Sequence, residues 1–132
     1  MSEPALLVSR EDAVLVVTMN RPAQKNAINP EMLCRLADAW DTLDADDALH
    51  VAILTGSGGT FCAGADLDKL VTRSLKGLPP EDDFEQRIRD DYQLIFKGLL
   101  RSYEDGEAQQ AAQQRRREIS YQFLWDALGL AR

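Results

Sequence analysis

The chain has 132 residues, 45% of them hydrophobic, and a formal net charge of −7. That length fits one ordinary domain, and the apolar share supports a real core and excludes global disorder. The acidic balance argues against nucleic acid or an anionic membrane as the main partner. It also repels an anionic cofactor at long range, so any phosphate binding has to be local, through a few placed cations or backbone amides. No apolar run approaches the roughly 20 residues that span a bilayer. Met1-Ser2-Glu3-Pro4 has neither a basic n-region nor an apolar h-region, so no secretory signal is expected and the expected compartment is the cytoplasm. Cys34 and Cys62 form no CxxC pair, and the single His50 does not complete a metal set with them; two reduced thiols and no bound metal are expected.

In chain order, Ala5–Ser9 and Ala13–Met19 are short, apolar and rich in β-branched residues, with polar Arg10-Glu11-Asp12 between them. They predict two strands of a hairpin. Arg21-Pro22 ends the second, because Pro lacks the N–H a ladder needs, and Ala23–Ile28 is a loop. Asn29-Pro30 opens a helix, with Asn as N-cap and Pro at the first helical position. Met32, Leu33, Leu36, Ala37, Trp40 and Leu43 follow as one apolar stripe, with Asp38, Asp41 and Asp44 off it. Asp46-Asp47 marks the turn out. His50–Thr55 predicts a strand buried on both faces, broken by Gly56-Ser57-Gly58-Gly59. The strand–strand–helix–strand order is α/β in character. A short helix is expected from about Asp66 to Val71, then a break at Gly77-Leu78-Pro79-Pro80. One longer amphipathic helix is expected to carry Phe84, Ile88, Tyr92, Ile95 and Leu99 on a single face. Beyond, the Ala/Gln/Arg-rich 107–117 stretch and the stripe Ile119, Phe123, Leu124, Ala127, Leu128 predict a helical tail. Gly129 suits its end. The expected division is 1–101 and 102–132, with no repeats.

Three stretches are candidates for chemistry: Asn20–Asn29, Val51–Gly56 and Gly59–Leu67. In the third, a strand delivers the chain to a Gly-rich loop ahead of a helix start, where backbone N–H groups lack partners and the dipole favours negative charge. Small residues (Ala63, Gly64, Ala65) allow close approach of a substrate to the backbone. Such an arrangement stabilises an oxyanion. Two other Gly motifs fail: there is no Gly-Lys-Ser/Thr of a Walker loop, and a GxGxxG starting at Gly56 meets Phe61 where its last Gly belongs.

Taken together, "NRP…NAI" after the second strand, "ILTG" on the next and "FCAGADL" after that resemble the enoyl-CoA hydratase/isomerase (crotonase) family over about residues 3–100. The resemblance implies a partial crotonase-like fold: an N-terminal hairpin and mostly parallel strands with helices. It also implies an acyl thioester of coenzyme A as substrate, so that coenzyme A is part of the substrate and no separate cofactor is expected. In that family the N–H following the Gly of "CAGAD" donates to the thioester oxygen, which maps to Ala65. Lys25, Asn26 and Ala27 line the CoA site, Arg21 and Lys25 are the cations for its phosphates, and Ala63, Gly64, Ala65, Asp66 and Leu67 line the acyl and pantetheine path. Adding water to a 2-enoyl thioester, or shifting its double bond, builds enolate charge on that oxygen, and losing one donor typically costs ~10²–10³ in rate.

Family members normally continue into a "KP-x-IAAV-x-G-x-x-x-GGG" segment that carries the second N–H donor, with the catalytic Glu residues there or beyond. This sequence contains no such match, and no catalytic acid or base is assigned. The expectation is therefore an acyl-CoA-acting enzyme or, alternatively, a non-catalytic acyl-CoA-binding or regulatory fragment. For Asp66 the ordinary role is to favour a helix start; for Cys62 it is packing, and for His50 a surface position. The apolar stripe at 119–128 suits either a homo-oligomer or protein partner, or this protein's own core.

Overall fold

The computed structural model describes residues 3–99 and 118–120. Four strands form one sheet in the order β1 (Leu6–Glu11), β2 (Val14–Met19), β3 (Val51–Gly56), β4 (Glu118–Ser120). β1 and β2 pair antiparallel as the expected hairpin, with Leu6 opposite Met19 and Glu11 opposite Val14. Asp12 turns the chain with φ 54°, a left-handed conformation that Asp tolerates better than most residues. β2 and β3 run parallel, Val14 opposite Val51 through Met19 opposite Gly56. Parallel neighbours need a crossover, and here it is a single helix, α1 (Pro30–Ala45).

The α1 start follows from its first two residues. Asn29 is extended, and its Oδ1 accepts from the Met32 N–H at 2.9 Å, with Pro30 directly after it. The predicted stripe is present, and Met32, Leu33, Ala37 and Leu43 are fully buried. Cys34 and Ala39, off that stripe, are buried too. The cause is a second cover: α3 (Asp83–Asp90) and α4 (Gln93–Leu99) pack on the side of α1 away from the sheet. Asp38 and Asp41 turn toward them, pairing with Arg87 and Lys97 at 2.6 Å each. The core is thus three layers, sheet, α1, then α3 and α4, with Leu15, Val17, Met19, Ala52 and Leu54 on the covered face of the sheet.

Four expectations change. β3 is not buried on both faces: Ala52 and Leu54 are buried, while Ile53 between them is 41% exposed. Alternate side chains point to opposite faces, and α1 covers one face. The single long helix expected through Phe84–Leu99 is two. Asp91 leaves helical geometry (φ −143°, ψ 82°) and its Oδ1 takes the Gln93 N–H, a local side-chain bond that competes with the helix. The break re-aims the chain, so that Tyr92 is exposed and Leu94 is buried instead. The helix expected from Asp66 is a π-helical turn, Asp68–Thr72, running into the short α2 (Arg73–Leu75). Finally, the helix expected across Ile119 is replaced at Glu118–Ser120 by a strand parallel to β3, with Val51 opposite Glu118 and Ile53 opposite Ser120. The unpaired backbone edge of β3 is a template for a further strand and overrides local helix propensity. The remaining positions of the expected tail, 102–117 and 121–132, lie outside the described residues.

Where α4 crosses α1 the two helices touch closely. The Trp40 Nε1 donates to the Gly98 carbonyl at 3.2 Å. A Cβ on Gly98 would sit 2.7 Å from Leu33 Cδ1 and 3.0 Å from the Leu33 carbonyl oxygen. Gly98→Ala should therefore lower stability by about 1–3 kcal/mol despite its better helix propensity. Urea unfolding monitored by tryptophan fluorescence checks this; an unchanged or raised midpoint would count against the close helix contact.

Candidate oxyanion site

β2 and β3 deliver two loops, 20–29 and 57–66, to the same end of the sheet. The first tightens through a 3-10 turn at Pro22–Gln24, and then Lys25 (φ 52°) and Asn26 (φ 57°) are both left-handed. Consecutive non-glycine residues in that region are uncommon, and bonds hold these two there. The Asn26 N–H donates to the Arg21 carbonyl at 2.8 Å. The Asn26 side chain is fully buried: Oδ1 accepts from the Arg21 N–H at 2.8 Å, and Nδ2 donates to the carbonyls of Ser57 at 2.9 Å and Thr60 at 2.7 Å. One amide group thus ties its own loop to the second.

Further rungs continue the stitch. The Ala63 N–H donates to the Lys25 carbonyl at 2.9 Å. Ile28 donates to the Gly64 carbonyl and accepts from the Asp66 N–H, each at 2.9 Å, which makes an isolated parallel bridge between Ile28 and Ala65. In such a bridge the residue flanked by the two bonds turns its own N–H and C=O to the opposite side. Among the described residues the Ala65 N–H has no acceptor, and Ala65 is exposed. Gly64, at φ 116°, lets the chain enter this geometry.

Among the described residues the Ala65 N–H is left without an acceptor, but for a different reason from the one the sequence suggested. The expected cause was a helix start. The helical turn begins only at Asp68, and the N–H is freed by the extended bridge with Ile28. Asp66 faces that turn: its Oδ1 accepts from the Lys69 N–H at 3.3 Å and its carbonyl from Leu70 at 3.0 Å. This is the ordinary helix-start role.

The structure brings Lys25, Asn26, Ala27 and Ala63–Asp66 to one place. Their side chains differ in what they have left to offer. Asn26 has none of its amide free for a ligand. Arg21 spends Nη1 on the Ala27 carbonyl within its own loop. Lys25 is exposed, and among the described residues its ammonium has no partner. Leu67 is 64% exposed. Beside them a cleft of about 400 Å³ lies against Arg21, Pro22, Ala23 and Gln24 and reaches Glu3 and Glu31. Cys62 is half-buried; burial pushes its thiol up, partly offset by the Gly64 N–H at 3.3 Å. A thiol so placed is not an activated nucleophile. Cys34 is buried and pushed up to about 11, also by burial. His50 is exposed, and its backbone N–H donates to the Ala13 carbonyl at 2.8 Å. Among the described residues no cluster of three or more His, Cys, Asp and Glu side chains is placed to hold a metal ion, and no helix is long and apolar enough to cross a membrane.

Known proteins are similar to this chain in sequence and fold. The family profile of the enoyl-CoA hydratases/isomerases matches residues 9–100. Enoyl-CoA hydratase EchA19 of Mycobacterium tuberculosis is 48% identical over 84 residues, covering 64% of this chain and 30% of that protein. The 2,3-dehydroadipyl-CoA hydratase of Escherichia coli is 40% identical over 75 residues, covering 57% and 29%. A solved enoyl-CoA hydratase from M. tuberculosis is 53% identical with a TM-score of 0.51, over 53% of this chain and 28% of that one. A solved enoyl-CoA hydratase/isomerase from Mycobacterium paratuberculosis is 28% identical with a TM-score of 0.55, over 73% and 36%. The chain belongs to the enoyl-CoA hydratase/isomerase family and carries an α/β part of the crotonase fold. It spans about 30% of the length of the first of these curated relatives.

Sequence reasoning placed Asn26 against the ligand. Its buried locking role depends on carbonyls in another loop, although the tolerance of Asn for left-handed backbone was a usable local signal. Truncating it strands the Ser57 and Thr60 carbonyls and the Arg21 N–H. Asn26→Ala should lower stability by about 2–4 kcal/mol. Asn26→Asp should cost at least as much, because it turns an acceptor toward two carbonyls. Chemical denaturation of both variants tests this, and a loss under about 0.5 kcal/mol for Asn26→Ala would remove the lock.

Proposed function

We propose that this chain takes the thioester end of an acyl-CoA at the Ala65 N–H, in the manner of its family, with enolate-like charge on the thioester oxygen as what that donor stabilises. The observation that carries this reading is the N–H of exposed Ala65, without an acceptor among the described residues, at the junction of two mutually locked loops in a chain of this family. A short thioester reaches the donor without obstruction, because Ala63, Gly64 and Ala65 are all small and exposed. Lys25 sits on the same stitched loop pair with its charge uncommitted, and suits a CoA phosphate at short range despite the net charge of −7. Arg21 and Asn26 support the loop from within. The site is expected to act in the cytoplasm, on the sequence grounds above.

The second reading, a binder without turnover, is favoured by one observation: the sequence has no match to the "KP-x-IAAV…GGG" segment. A single donor leaves the enolate half-stabilised, and the sequence assigns no carboxylate to the water. One missing donor costs ~10²–10³ and missing acid/base help roughly 10²–10⁴, not independently.

Both readings are tested on the purified 132-residue chain. Binding of acetyl-CoA is followed by calorimetry, and hydration of crotonyl-CoA by loss of the enone absorbance. Acetyl-CoA should bind, and Ala65→Pro, which deletes the N–H, should abolish binding while Ala63→Ser does less harm. Hydration should run at least about a thousandfold below that of a full-length relative. Equal effects of the two substitutions would sink the donor assignment, and near-normal hydration would sink the binder reading.

A further inference from the structure

The helical segment after the site is poorly held by apolar burial. In the π-helical turn and α2, Leu70 is the one buried residue, while Leu67, Val71 and Leu75 are exposed by 64%, 38% and 81%. Polar contacts hold it instead, and they converge on a carboxylate in α3. Glu85 is 3% exposed. Its Oε1 accepts from Arg73 Nε and from the Glu81 backbone N–H, both at 3.2 Å, and its Oε2 accepts from Arg89 Nη2 at 2.6 Å. Arg73 Nη2 also donates to the Pro79 carbonyl at 2.8 Å, and Glu81 takes Lys69 Nζ at 2.6 Å. The result is a continuous chain of charges, Lys69–Glu81–Arg73–Glu85–Arg89, joining the segment after Ala65 to α3 across residues 76–82.

The far end of this chain is firm. α3 is tied to α1 by Arg87–Asp38 and by the guanidinium of Arg35 lying 5.3 Å over the Phe84 ring. The outer pair, Lys69–Glu81, is exposed and holds little by itself. Glu85 differs. Its burial raises its pKa, but the Glu81 N–H and the two Arg side chains outweigh that and hold its carboxyl below the usual range. Arg89 is drawn in far enough that its Nε is buried without a partner among the described residues. A buried, charged group with several donors is costly to disrupt, since removing one partner leaves the others uncompensated.

We propose that Glu85 is a positioning residue for the Ala65 N–H. One flank of Ala65 is set by the Ile28 bridge. The other is set by Asp66, whose carboxylate and carbonyl hold Lys69 and Leu70 of the turn that Glu85 anchors through Arg73. A donor stabilises an oxyanion in proportion to how well its direction is fixed beforehand, and Glu85 fixes it from behind. This inference rests on the acyl-CoA reading above.

The test compares acetyl-CoA with S-ethyl-CoA, a thioether that keeps the CoA moiety and lacks the carbonyl, binding each by calorimetry to the full chain and to Glu85→Gln. Gln keeps the shape and the acceptor facing Arg73 but removes the charge and sets an NH₂ against Arg89. Wild type should prefer the thioester. Glu85→Gln should lower that preference by about fivefold or more, with S-ethyl-CoA affinity kept within about twofold. A merely structural role weakens both ligands alike, and that result overturns the proposal. Glu81→Gln cuts the network at its exposed end without touching the buried carboxylate. It should lower the preference in the same direction by less, and it carries the test if Glu85→Gln does not fold. An unchanged preference in the folded variants overturns the positioning role and leaves the acyl-CoA reading standing. Wild type that binds neither ligand, or binds both equally, overturns that reading and this inference together.

Discussion

The buried amide of Asn26 is the constraint on which the end of the sheet depends. β2 and β3 are parallel, so their C-terminal ends open two loops side by side, each with backbone groups that the ladder no longer pairs. Leaving such groups buried and unpaired costs ~1–3 kcal/mol apiece. A primary amide has two donors and an acceptor in one plane. Here the donors meet the Ser57 and Thr60 carbonyls, and the acceptor meets the Arg21 N–H. The surroundings are built to that group. A Cβ on Gly56 would lie 2.8 Å from the Asn26 Nδ2 and 2.5 Å from the Phe61 carbonyl oxygen, so the strand has to end on glycine for the lock to close.

The free donor is a consequence of this lock rather than a separate feature. Once the loops are joined at Asn26, the chain from Ala63 to Asp66 lies alongside Lys25–Ile28 and pairs with it as a single bridge. A bridge of that kind satisfies the neighbours of Ala65 and turns its own N–H outward. For the proposed oxyanion role this is preorganisation, since among the described residues the N–H has no competing acceptor to leave before it meets a ligand. The π-helical turn beyond it is short and contributes little dipole, so the local field at the donor comes from the peptide itself and from nearby charges.

The layers behind the site explain how so few buried residues hold so many loops. α1 is covered on two sides, by the sheet and by α3 with α4, which makes it the rigid centre of the described chain. Among the described residues, the segment from Leu67 to Leu75 has no such cover. It is fastened to α3 by charges, and α3 is fastened to α1. Rigidity therefore reaches Ala65 by two routes, through the hydrogen-bonded loops in front and through the ion network behind.

The sequence by itself determined the elements whose causes are local. The alternating and β-branched runs gave β1, β2 and β3, Asn29-Pro30 gave the start of α1, and the Met32–Leu43 spacing gave its buried stripe. The order of the "NAI", "ILTG" and "CAGAD" stretches gave the family. Tertiary structure alone decided the rest. The carbonyls that Asn26 meets lie 31 and 34 residues away, and the strand edge that recruits Glu118–Ser120 belongs to β3. Glu85 reads locally as one acidic residue on a polar helix, and its buried pairing appears only when Arg73 and Arg89 arrive from both sides of it. In each case at least one deciding partner is remote in the chain, and no local period or cap signal specifies which donor a given acceptor will meet.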